Sequence, residues 1–218
     1  MKIATILVSG AALSLASAAM ANIPASYTGG GGVIPAAGTG GGGTWQSVLP
    51  PTPFTSSVTV LNDVKSVKSI TFTDLRHTWI GDVHIVLTTP TARYNVLVRG
   101  GSVAGSVGWS DNFLGNYTFA DGGAAIPGGV SSANNIASGT YAWGFNSAQW
   151  TNGNLGIFNS SAAGISGSAG TWSIQIYDWV GADSGSLVSW TLNVNEVPAP
   201  GAAALFGLAG LAGLRRRR

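Results

Sequence analysis

From about Thr55 onward the chain alternates apolar and polar positions with a period of two. Ile70 and Phe72 alternate with Thr71 and Thr73, and Val83, Ile85 and Leu87 with His84 and Thr88. Trp172, Ile174 and Ile176 alternate with Ser173, Gln175 and Tyr177, and Val188, Trp190, Leu192 and Val194 with Ser189, Thr191 and Asn193. Successive side chains of a strand point to opposite faces, so this pattern predicts strands that are half buried. Gly, Asn, Asp and Ser clusters separate the runs, and no segment of this body carries a helical period. Several such strands around one core predict an all-β, jelly-roll-like antiparallel β-sandwich of about eight strands. The glycine-rich stretch 100–138 reads as long surface loops with short strands. The clearest local hairpin runs from Gly170 to Asp178, turns through Gly181–Gly185 and returns as Leu187–Val194, with Gly and Asp supplying the turn chemistry.

Both ends follow a different pattern. Lys2, the apolar stretch Ile3–Ala18 and Ala19-Met20-Ala21 have the order of a signal peptide over residues 1–21. That order predicts Sec-type export and cleavage by signal peptidase before Asn22. At the other end Val197-Pro198-Ala199-Pro200-Gly201 leads into the uncharged run Ala202–Leu214 and then Arg215-Arg216-Arg217-Arg218. As a helix the run is about 20 Å long against a hydrocarbon core of about 30 Å. It predicts a short C-terminal hydrophobic helix whose arginines stay cytoplasmic. Residues 22–54 carry Gly29–Gly32, Gly40–Gly43, Pro50, Pro51 and Pro53, and read as a flexible Gly/Pro-rich linker before a sandwich over 55–196.

The segment 197–218 resembles the PEP-CTERM sorting signal, with Ala199 where that family usually has Glu. The resemblance implies a transient membrane anchor, cleavage near Pro198–Gly201 by an exosortase-type membrane protease, and a Gram-negative-type bacterium. The protein would then be secreted or held at the cell surface.

Net charge changes its meaning once the ends are set aside. The whole chain is +2, but between Asn22 and Glu196 five basic residues face eight acidic ones, a net of −3. The high isoelectric point therefore belongs to the ends, and the body offers no basic patch for nucleic acid. The absence of cysteine excludes disulfides, zinc–thiolate sites and cysteine catalysis. A body of this length is large enough for one hydrophobic core without them.

Three stretches resemble the P domain of proprotein convertases. They are Leu75-Arg76-His77-Thr78-Trp79-Ile80-Gly81-Asp82-Val83-His84-Ile85-Val86-Leu87-Thr88-Thr89-Pro90, then Asp111-Asn112-Phe113, then Gly170-Thr171-Trp172 with Asp178, Gly185-Ser186-Leu187 and Trp190. The resemblance spans about 58–194 and implies a jelly-roll sandwich. In that family the domain follows a subtilisin-like protease, and this sequence contains no such protease domain.

Candidate chemistry is sparse. Asp183-Ser184-Gly185 echoes the surroundings of a serine nucleophile, yet a hairpin turn accounts for it, and His77 and His84 lie in no protease context. No catalytic residue is therefore assigned. Asp82, Asp111 and Asp178 are the candidates for hard-cation ligation, calcium above all, because they fall at strand ends and in a glycine-rich loop. Trp109 and Trp179 lie outside the core alternation and are the candidates for stacking on a sugar ring. The expected function is a non-enzymatic surface or extracellular-matrix protein. The alternative is a binding module for extracellular polysaccharide or protein, with exopolysaccharide as the partner.

Overall fold

The computed structural model describes residues 22–36, 38, 49, 52–101, 106–129, 134–145 and 150–198. Eleven strands follow in chain order: β1 (Ile23–Ile34), β2 (Phe54–Val60), β3 (Val64–His77), β4 (Val83–Thr88), β5 (Arg93–Val98), β6 (Asn112–Ala124), β7 (Asn135–Ile136), β8 (Gly139–Tyr141), β9 (Ile157–Phe158), β10 (Gly170–Asp178) and β11 (Gly185–Glu196). Three single 3-10 turns, Ile80–Asp82, Asn154–Gly156 and Ala162–Gly164, are the helical segments among the described residues. One sheet runs β1-β11-β3-β6-β7, with β8 also on β6, and the other runs β2-β10-β4-β5-β9. The long strands pair antiparallel, while β7, β8 and β9 add parallel edges.

The alternating positions build the interior of this sandwich. Ile70, Phe72, Trp190, Leu192 and Val194 of the first sheet share one core with Ile85, Leu87, Trp172, Ile174 and Ile176 of the second. Each large aromatic removes roughly 150–250 Å² from water, about 4–6 kcal/mol of gross burial before chain entropy is subtracted. The second sheet is covered on its outer side as well. Val86, Val98, Trp150, Ile157, Tyr177 and Trp179 form a further buried cluster, with Leu49 and Leu155 packed on it. Strand β4 is consequently buried on both faces up to Leu87, and His84 is a core residue rather than an exposed one.

Three expectations are corrected. Residues 23–34 are a strand, not part of a linker: β1 pairs with β11 from Ile23 opposite Glu196 to Ile34 opposite Gly185. Its glycines answer to packing. A Cβ at Gly29 would stand 2.2 Å from Trp190 Nε1, and one at Gly31 would stand 1.9 Å from the Leu187 carbonyl oxygen. Stretch 100–138 carries one long strand rather than only short ones, the 13-residue β6, inside the first sheet between β3 and the parallel edge. Val188 does not face the core. The inward alternation is interrupted between Leu187 and Trp190, both buried, and Val188 is 60% exposed. The expected eight or so strands are the eight long ones of the described residues, to which the short edge pairings β7, β8 and β9 are added.

Candidate functional site

Strand β3 ends at one pole of the sandwich, and the chain crosses from the first sheet to the second through the 3-10 turn Ile80–Asp82. The crossing is tight. Gly81 donates its N–H to the Trp109 carbonyl, and a Cβ at Gly81 would lie 2.1 Å from the Val107 carbonyl oxygen, so a side chain has no room there. The turn delivers Asp82 beside the ends of β5 and β10. The Arg99 N–H bonds the Val83 carbonyl at 2.9 Å, and the Trp179 N–H bonds the Asp82 carbonyl at 3.0 Å.

A buried polar cluster results. Arg99 is fully enclosed, and its Nε donates to the Gly81 carbonyl at 2.8 Å. Its Nη2 lies 3.6 Å from Asp82 Oδ1, and the guanidinium sits 5.6 Å from the Trp179 ring centroid. Burial pushes the Asp82 carboxyl up to about 7; Arg99 opposes the rise, while Asp178 and Asp183 add to it. Burial lowers Arg99 to about 10 against the pull of Asp82 and Asp178. Desolvation outweighs the attraction of the nearby guanidinium at Asp82, so its neutral form is favoured.

His77 closes the cluster toward the surface. Its Nδ1 accepts the Trp79 N–H at 3.2 Å, which puts the ring proton on Nε2, 3.5 Å from Asp178 Oδ2. Nδ1 is thereby engaged, while Nε2 approaches Asp178 without forming a hydrogen bond. The Asp183–Gly185 stretch is a turn held by Thr78. The Thr78 hydroxyl donates to Asp183 Oδ1 at 2.7 Å and accepts the Ser184 N–H at 3.3 Å. Beside this turn an open cavity of about 330 Å³ is lined by Arg76, Asn112, Leu114, Ser184 and Ser186, with His77 at its edge.

The candidate cation ligands are not gathered into a donor set. Asp82 and Asp178 meet, but Arg99 and His77 face them. Asp111 accepts from the Gly129 N–H at 2.6 Å and from Asn134 Nδ2 at 2.8 Å, so both its oxygens are taken by the chain itself. Among the described residues no three His, Asp, Glu or Cys side chains converge into a metal-sized group. The stacking candidates are corrected too. Trp179 is 3% exposed and stacks on His84 at 6.0 Å, with no face for a sugar. Trp109 is half buried and wedged among glycines: Cβ atoms at Gly101 and Gly128 would fall within 2.3 Å and 2.1 Å of its ring. Val197 and Pro198 close the described body, where the Val197 N–H bonds the Asp63 carbonyl at 2.8 Å. Ala199, Pro200, Gly201 and Arg215–Arg218, like the signal peptide, lie outside the described residues. No described helix is long and apolar enough to cross a membrane.

Arg99 and His84 were missed as members of a buried polar centre. The signal for Arg99 was its scarcity: a lone cation after Val96-Leu97-Val98 in a body with five basic residues. Nothing in the alternation marks His84, whose Nε2 lies 2.7 Å from Asn95 Oδ1 in a pocket made by Trp150 and Trp179.

No family model matches the chain, and none of the curated proteins matches it. Among solved structures, the complex of the Aeromonas sobria serine protease with the chaperone ORF2 is 14% identical. It has a TM-score of 0.32 and covers 81% of this chain and 28% of that one. The Aeromonas sobria serine protease crystallised by itself is 12% identical, with a TM-score of 0.33, covering 80% of this chain and 27% of that one. The structural similarity is distant, and the chain spans little more than a quarter of those chains.

Proposed function

We propose that the chain is an exported, non-enzymatic β-sandwich, displayed at the cell surface or in the extracellular matrix after processing at both ends. The observation that carries this reading is the pairing of Ile23 with Glu196. Ile23 is the second residue after the inferred signal-peptidase site and Glu196 the second before the Pro-Ala-Pro element, so the two junctions are neighbours at one end of the sandwich. Both addressing segments therefore leave from one pole. The cavity beside Ser184 and the Asp82–Arg99 cluster sit at the other, because Ile34, Gly185 and His77 align there. A body tethered by its C-terminus through the membrane would turn that second pole outward, and an exosortase-type protease would meet Val197–Gly201 at the first.

The test is mass spectrometry of the chain recovered from cells with and without exosortase activity. The reading expects an N-terminus at Asn22 and a C-terminus near Pro198–Gly201 only in the active strain. A recovered chain that still carries Arg218 in the active strain overturns the processing step. The open cavity supports a second reading, a binding module for extracellular polysaccharide or protein.

A further inference from the structure

The outward side of the first sheet carries a line of threonines in register. Thr28 pairs with Thr191, Thr191 with Thr71, Thr71 with Thr118, and Thr118 with Thr140, one from each of five strands. None of the five is buried, whereas Phe72, Phe119 and Leu192 next to them in sequence are core. The hydroxyls of Thr28 and Thr191 lie 3.0 Å apart, as do those of Thr71 and Thr118. In the adjacent row Ser26 donates to Asn193 Oδ1 at 2.7 Å, and Asn193 Nδ2 donates to Ser69 Oγ at 3.0 Å. With strands about 4.8 Å apart and same-face residues about 6.8 Å apart, these rows form a grid whose long row is roughly 19 Å. Neither row contains a charged residue. The charges of β3 flank the rows: Lys68 directly precedes Ser69 with Lys65 beyond it, and Asp74 and Arg76 lie on the other side of Thr71.

We propose that this face binds a neutral polysaccharide chain through its ring hydroxyls. Each threonine hydroxyl that bonds sideways keeps further donor or acceptor capacity for a ligand. The cross-strand bonds hold the side chains in place before binding, which lowers the ordering cost. A charge-free grid asks no ion to shed water and gives no attraction to an anionic or cationic polymer, so a neutral polyol is its electrostatic complement. A sheet twisting by roughly 20° per strand matches a chain that can turn with it better than a flat lattice. The proposal rests on the reading of the chain as an exported module only for where the polymer is met.

The experiment is co-sedimentation of the full chain, kept soluble in a zwitterionic detergent, with insoluble cellulose, chitin and cross-linked dextran. The wild type should sediment with at least one of them. Thr191→Lys and Thr71→Lys should weaken that binding by about tenfold, with the circular dichroism spectrum unchanged, while Thr59→Lys on the other sheet leaves it intact. Should either lysine variant misfold, Thr191→Val keeps the branched shape, removes the hydroxyl and should still lose several-fold. No sedimentation with any of the three polymers, or equal sedimentation of wild type and grid variants, overturns the proposal. Inhibition of ice recrystallisation by the wild type without polymer binding also overturns it, assigning the grid to ordered water instead. A chain that binds but is never exported sinks the display reading and leaves this one standing.

Discussion

The Tyr27 hydroxyl donates to Glu196 Oε1, joining the first strand to the last residue of β11 across 169 positions of sequence. Glu196 is almost fully enclosed, and its other oxygen accepts from Asn62 Nδ2 at 2.8 Å. The Tyr27 oxygen accepts in turn from the Leu61 N–H at 3.1 Å. Burial, helped by Glu196, raises the Tyr27 phenol above its ordinary value and so keeps it protonated as a donor.

Tyr27→Phe removes a donor from an enclosed carboxylate and an acceptor from the Leu61 N–H. A hydrogen bond to a charged group contributes about 1.5–3 kcal/mol. The expected loss is of that size, a fall in Tm of roughly 4–10 °C by differential scanning calorimetry. A shift within one degree of wild type would show that β1 is not fastened there.

The glycines of β1 divide by what lies behind them. Gly29→Ala drives a methyl into the Trp190 indole, whereas Gly30 has open space around it. Overpacking of this kind costs about 1–3 kcal/mol. Gly30→Ala restricts the unfolded chain and should be neutral or stabilise by up to about 1 kcal/mol. Urea denaturation of the two variants separates them. Equal stabilities would mean that β1 does not lie on Trp190 and that the flexible-linker reading was right.

This contrast marks what the sequence could disclose. Ile70, Phe72, Trp172 and Trp190 reveal their strands because each strand has one wet face and one dry face. Strand β1 was hidden because its fit against Trp190 requires glycines, and a glycine run reads as slack. Strand β4 was half legible: its apolar run was plain, but His84 looked exposed because the cluster covering that side comes from Trp150 and Trp179, far away in sequence. The site was less legible still. Asp82 and Asp178 were singled out for a cation from outside, and the cation beside them is Arg99 of the same chain. The threonine row was present as single polar positions in separate strands, and only register turns them into a line.

Trp179 separates packing from ligand contact. Its ring is enclosed between His84 and Arg99, so Trp179→Ala should cost about 3–5 kcal/mol of stability, as large-to-small core changes do. The measurement is the denaturation midpoint, alongside polysaccharide sedimentation at a temperature where the variant is folded. Lost binding with unchanged stability would restore Trp179 as a stacking residue.

Two buried groups set opposing pH dependences. Burial lowers His84 from 6.5 to about 4, with Arg93 and Arg99 contributing and Asn95 resisting. Its neutral form is favoured by folding, so its contribution is complete above 6.5 and is lost as pH falls through 4. Asp82 behaves in the reverse sense. Raised from 3.8 to about 7, its contribution is complete below 3.8 and is lost as pH rises through 7. Between about pH 4 and 6.5 the two slopes oppose, and wild-type stability should change little. Asp82→Asn removes one slope, leaving a protein that weakens on acidification. His84→Gln removes the other, leaving one that strengthens on acidification. Because the slope is read rather than the absolute stability, packing losses in either variant do not confuse the result. Urea denaturation at about pH 4, 5.5 and 7 decides it: two variants whose slopes parallel the wild type would mean that neither group titrates differently in the folded chain.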